Sequence, residues 1–457
     1  MSFHHFAQKL QRRLAISSLG NIGFEDFALL VDSAPKIVSL SVDADKHLVQ
    51  MPAPLRPSTQ MLCSLATDLG RKDRTKTVPP IANCFMAHID PAHSFSDQGV
   101  DVTPDVERVG NPRQLSYPAQ EHRFAGNIWD LKAFNGRIYV GLGNRNNSGP
   151  APNAGPVDVW YFDPAAGKLV KDWTAPDEQV DIFRVIDGRL VIPGNDPQES
   201  WQLGNFYRLN QDGWQKVRTL PNGIHNFDML QFDGVLYAAL GTEYGAVVAQ
   251  SKDGGQTWQE HRLERNVGSS IARAYGLCVV AGRLHVSVLS AAGSSIFALS
   301  GNSFRSTRSS NFFPELHASD VIVRGCVDFG GNAVYLGAQM VLGEHAVPLK
   351  LFVASGSEHV RAIELPHDAR PRDITVAGER VYALGSRRET SGFTTYVFET
   401  VDLAEWKELF HLATPTFARS IEVLNGDFYI GLGSLKDDVH PKTGDLLRVR
   451  AQSYGRQ

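Results

Sequence analysis

One phrase recurs seven times along the chain, and this repetition constrains the fold more than any other feature. Each copy is an alternating apolar run, a turn containing glycine, and a second run rich in Val, Leu, Tyr and Gly. The copies read IWDLKAFNGRIYVGLG around Gly136, IFRVIDGRLVIPG around Gly188, FDMLQFDGVLYAALG around Gly234 and YGLCVVAGRLHVSVL around Gly282. They continue as GCVDFGGNAVYLGA around Gly331, DITVAGERVYALGS around Gly378 and IEVLNGDFYIGLG around Gly426. Successive glycines stand 52, 46, 48, 49, 47 and 48 residues apart. A period of about 40–50 residues is that of a β-propeller blade.

The turn chemistry agrees. Asn135-Gly136, Asp187-Gly188, Asp233-Gly234 and Asn425-Gly426 are the dipeptides a two-residue type I′ hairpin needs, because both central positions take positive φ. Each phrase is then a hairpin of two strands. A polar loop, a third strand such as VDVWYFD or GNFYRL, a short turn and a fourth strand such as WQKVRTL or WKELFHL follow. No stretch from 120 to 450 sustains a helical period. The expectation is an all-β, seven-bladed β-propeller of four-stranded antiparallel blades over residues 94–457. After Gly426 only two further strand segments remain, so the last blade lacks its outermost strand. An unpaired edge is a liability, and Gly99–Arg108 is the natural donor, paired with Leu446–Val449, although Pro104 interrupts it.

The turn Ser251-Lys-Asp253-Gly-Gly255-Gln-Thr257-Trp258 matches S-x-D-x-G-x-T-W, with degenerate echoes at Asp212-Gly213-Trp214, Gly301–Phe304 and Asp402 with Trp406. It resembles the Asp-box of sialidase-type propellers, and residues 120–450 resemble uncharacterised bacterial propellers that carry it. The resemblance implies a structural role for Ser251, Asp253, Gly255, Thr257 and Trp258, on the face away from any active site. The sialidase F/Y-R-I-P signature has only Phe183-Arg184-Val185-Ile186 as its counterpart, and Tyr244 beside Glu243 and Tyr275 beside Arg273 are undistinguished as nucleophiles.

Residues 1–93 share none of the repeat and form an irregular, proline-dotted extension. DLGRKDRTKTVPP (Asp68–Pro80) and FMAHIDPA (Phe85–Ala92) resemble short reading frames beside insertion sequences that are labelled transposase-associated. That resemblance implies a mobile-element fragment joined to the propeller, with an accessory domain as the alternative. The first twenty residues carry Gln8, Gln11, Arg12 and Arg13 where a signal peptide would be apolar. The chain as written is therefore cytoplasmic, or secreted if an original leader was displaced.

Net charge is −4 with both signs mixed, 42% of residues are apolar, and no run approaches a membrane span of about 18 residues. Neither nucleic acid nor membrane is expected as a partner, and a monomer is. Cys63, Cys84, Cys278 and Cys326 lack metal spacing, so no metal or cofactor is expected; Cys278 and Cys326 read as buried free thiols.

Propeller ligands gather where the loops entering the innermost strands and those leaving the second strands converge. Blades one to three offer Asn127, Trp129, Asp130, Asp181, His225 and Asp228 there, and blades four to seven offer Arg273, Arg324, Arg372 and Arg419. Two long loops add Asn195, Asp196, Glu199 and Trp201. Acids facing arginines would suit an acidic sugar, because arginine binds carboxylates bidentately; as inter-blade salt bridges the same charges would only hold the ring together. Three functions stay open: a carbohydrate-binding propeller, a glycoside hydrolase or polysaccharide lyase of sialidase-like type, and a protein-interaction scaffold.

Overall fold

The computed structural model describes residues 99–119, 126–143, 156–195, 199–317, 319–341, 345–434 and 440–455. The extension 1–93 and its boundary, and with them Cys63, Cys84 and Asp196, lie outside these residues. The described chain forms seven sheets, six of four strands and one of five, which are the seven blades of a propeller. We letter the strands A to D from the channel outward. The innermost A strands are Asn127–Phe134, Arg184–Ile186, Gly223–Phe232, Arg273–Val280, Val321–Phe329, Arg370–Ala377 and Ala418–Leu424 in blades one to seven. The A–B turns take the left-handed conformation that their dipeptides dictate: φ is 50° and 72° at Asn135-Gly136 and 54° and 83° at Asn425-Gly426. Between blades, B and C strands bury alternating Val, Ile, Leu and aromatic side chains, so the core is a ring of inter-blade layers.

Ring closure differs in detail from expectation. Glu107–Gly110 supplies the outermost strand of blade seven, with Glu107 opposite Arg448, Arg108 opposite Leu447 and Gly110 opposite Leu446. The start of the expected donor goes elsewhere. Val100–Asp101 pairs in parallel with Phe410 and His411, as a fifth strand on blade six. Pro104 is the reason: it opens a one-turn 3-10 helix, Thr103–Asp105, that redirects the chain from one blade to the next. Arg108 fixes the closure with two hydrogen bonds to Asp445 at 2.7 and 2.8 Å.

The reading of Cys278 and Cys326 as free thiols is overturned. They form a disulfide between the A strands of blades four and five, with Cα atoms 5.6 Å apart. Gly276 permits this approach: a Cβ there would stand 2.4 Å from the carbonyl oxygen of Val323. Their separation of 48 residues is one blade period, which sets two cysteines side by side on neighbouring strands.

At the opposite end from the mouth, Ser251–Trp258 closes on itself. Asp253 accepts from the amides of Gln256 and Thr257 at 3.0 and 2.9 Å, and Ser251 Oγ accepts from the amide of Gly255 at 2.7 Å. The Thr257 hydroxyl and amide, the Ser251 hydroxyl and the Gln256 amide all donate to Asp253 and hold its carboxyl well below the usual range. The Trp258 indole N–H donates to Thr219 of blade two, so the turn latches two blades together.

Candidate functional site

A β-bulge in the A strands builds the channel mouth. In five blades the A–B ladder slips by one residue, leaving Trp129, Phe227, Tyr275, Arg372 and Arg419 unopposed. In blade five the slip follows Arg324. A bulge re-aims its side chain, and these six residues line one cavity together with Asp181 and Ile182 of blade two. The cavity measures about 80 Å³, space for roughly half a dozen water molecules at ~10–15 Å³ each. That admits a carboxylate and the edge of the ring bearing it, but not a chain of sugars.

The two halves of the mouth differ in chemistry. Arg324, Arg372 and Arg419 interleave with two aromatic rings. The Arg419 guanidinium lies 3.3 Å from the Trp129 ring centroid and 5.7 Å from that of Phe417. Arg324 covers Trp129 at 5.1 Å and Arg372 covers Phe417 at 4.6 Å. Arg324 meets Asp181 at 3.5 Å, and Arg372 donates to Ser386 Oγ at 2.7 Å. Arg419 makes no hydrogen bond or ion pair among the described residues, and its Nε is buried. Burial, with Arg324 and Arg372 nearby, drives its pKa well below the ordinary arginine value. Opposite stand Ile182, Phe227 and Tyr275, with Phe227 and Tyr275 centroids 4.5 Å apart.

The half expected to be acidic thus presents Ile182 and Phe227 beside Asp181, and Tyr275 of blade four extends that wall. Asp130 and Asp228 do line the cavity, with Asp373, but each stands one residue past the bulge and holds the next blade. Asp130 accepts from the amide of Phe183 at 2.6 Å, Asp228 from Leu277 at 2.9 Å, and Asp373 from Ile421 at 2.9 Å. Asp228 also takes both donors of Arg184 at 2.8 Å. Burial pushes the pKa of Asp130 and of Asp373 up, the latter also through repulsion from Asp130.

Other expected site residues lie outside the cavity lining. Asn127 accepts from the amide of Ser434 at 3.0 Å. Asn195 meets His225 at 3.0 Å, and His225 in turn meets Arg273 at 3.1 Å. Arg273 stands two residues before the bulge, so it falls short of the cavity that Tyr275 reaches. Glu199 is tied to Lys216 at 2.6 Å, and Trp201 is exposed on the blade-two turn. Phe227 was missed and Tyr275 not singled out, though a simple register finds both. The residue seven before the second position of each A–B turn is Trp129, Asp181, Phe227, Tyr275, Arg324, Arg372 and Arg419 in order. In blade six that second position is Glu379, not Gly378.

No family model and no curated protein matches this chain. Solved structures match in fold. YCF48 bound to D1 peptide is 14% identical, covering 78% of this chain and 99% of its own, with a TM-score of 0.44. The β-propeller domain of the Trilobed protease from Pyrococcus furiosus is 10% identical, covering 72% and 98%, with a TM-score of 0.42. Kuenenia stuttgartiensis hydrazine synthase is 9% identical over 72% and 96%, at 0.44. At these identities the likeness concerns the propeller alone.

Proposed function

We propose that this propeller is a binding module that takes the carboxylate of an acidic saccharide into the channel mouth. The observation that carries the reading is Arg419, a half-buried cation with aromatic rings beside it, a buried Nε and no carboxylate hydrogen-bonded to it among the described residues. Asp181 and Asp373 act on Arg419 only through space, and a ligand carboxylate bridging Arg419, Arg324 and Arg372 would supply the charged hydrogen bonds that it lacks. Phe227 and Tyr275 offer the facing wall an apolar surface for a sugar ring. Hydrolysis is not proposed, because Asp130, Asp228 and Asp373 are engaged in holding blades together. The Cys278–Cys326 bond supports assembly in an oxidising compartment.

Isothermal titration of the full chain with glucuronate and with glucose tests the reading. Glucuronate should bind and glucose should not. Arg419→Ala should lower glucuronate affinity about 10–100-fold, the worth of one or two charged hydrogen bonds, with the melting temperature held within a few degrees. No glucuronate binding, or collapse of stability with unchanged binding, would return the arginines to a purely structural role.

A further inference from the structure

The aromatic wall does not end at the cavity. Phe227 stacks on His225 at 5.2 Å, Arg273 bridges from His225, and Ile271 follows two residues earlier on the loop into blade four. There two loops tied together at the mouth carry three exposed apolar side chains: Tyr244 is 49% exposed, Val267 66% and Ile271 55%. Asn266 makes the tie. Its Nδ2 donates to the Glu243 carbonyl at 2.7 Å, its Oδ1 accepts from the Ala272 amide at 2.8 Å, and its own amide donates to the Tyr244 carbonyl at 3.2 Å. Reciprocal amide–carbonyl bonds of 3.0 Å between Val267 and Ser270 make the tip a tight turn. Clustered exposed apolar side chains on an ordered turn mark a contact surface.

Charge around this surface is balanced, with Arg262, Arg265 and Arg273 against Glu243, Glu260 and Glu264. With Arg262 over the Tyr244 ring at 5.2 Å, it is an apolar contact surface and not a second anion site. Ile271 lies four residues before Tyr275, at most about 13 Å away at the rise of an extended chain, and it is not part of the cavity lining.

We infer that the ridge of Tyr244, Val267 and Ile271 is an outer subsite for the uncharged sugars of an oligosaccharide whose one acidic end sits among the arginines. This rests on the reading of the pocket given above. An acidic end and neutral body fit what the two surfaces offer: cations inside, and a charge-balanced apolar shelf outside.

The test compares glucuronate with a trisaccharide of glucuronate linked to two xylose units, titrated into the full chain. The trisaccharide should bind at least tenfold more tightly. Tyr244→Ala and Ile271→Ser should cut that advantage below threefold while leaving glucuronate affinity and melting temperature unchanged. Arg419→Ala should weaken both ligands alike. If glucuronate fails to bind, the pocket reading falls and the subsite with it. If glucuronate binds but the trisaccharide gains nothing, or both ridge variants keep the gain, the pocket stands and the outer subsite is overturned.

Discussion

Replacing Asp228 with alanine separates scaffold from site. In the structure Asp228 takes two hydrogen bonds of 2.8 Å from Arg184 and one of 2.9 Å from the Leu277 amide, joining blades two, three and four. Its side chain is 5% exposed and that of Arg184 20%. Asp228→Ala leaves Arg184 a buried cation without its carboxylate, and breaking a pair in this way costs about 3–5 kcal/mol. Arg184→Ala should cost less, about 1–2 kcal/mol, because Asp228 keeps the amides of Leu277 and Met229 as donors. Urea unfolding followed by tryptophan fluorescence reads both variants, with a constant slope required for comparison. A loss below about 1 kcal/mol for Asp228→Ala, or equal losses for the two variants, would refute the clamp and return Asp228 to the ligand.

Three further outcomes are expected. Asp177 is buried beside Tyr207 and accepts from the Asn195 amide and Asn205, and burial raises its pKa to about 7. The folded state then keeps a proton that the unfolded chain loses near pH 4, so Asp177 makes stability fall as pH rises between about 4 and 7. Asp177→Asn should flatten that slope in melting curves, and an unchanged slope would exclude Asp177 as its source. Reducing the Cys278–Cys326 bond, which closes a 48-residue separation, should cost about 4 kcal/mol by loop entropy; an unchanged melting temperature in reductant would show the bond is absent. A chain starting at Gly99 should unfold cooperatively, whereas one starting at Pro112 loses the strand Glu107–Gly110 and should be strongly destabilised; equal stability of the two would contradict closure through that strand.

The seven blades were legible because strand alternation and Asn-Gly or Asp-Gly turns are local signals, and their period is arithmetic. The site was half legible. Arg324, Arg372 and Arg419 line the cavity with Trp129, Asp130, Asp181 and Asp228, while Arg273 does not and Tyr275 stands there in its blade. The difference is the bulge, a one-residue slip that depends on how two strands pair and has no residue signature of its own. The same holds for the acids: a sequence shows Asp130 and Asp228 near the mouth, but only neighbouring strands show whose amides they accept.

By itself, then, the sequence determined the repeat, the blade count, the turn conformations and the need for a borrowed strand, all properties of short segments and their spacing. Tertiary structure alone decided which side of Pro104 closes the ring, that Cys278 and Cys326 meet, and that Asp130, Asp228 and Asp373 bond to the neighbouring blade while Arg324, Arg372 and Arg419 line the cavity with Trp129, Phe227 and Tyr275. Those outcomes depend on which strands come to lie against each other once the ring closes, and that is a relation between residues about one blade period or more apart.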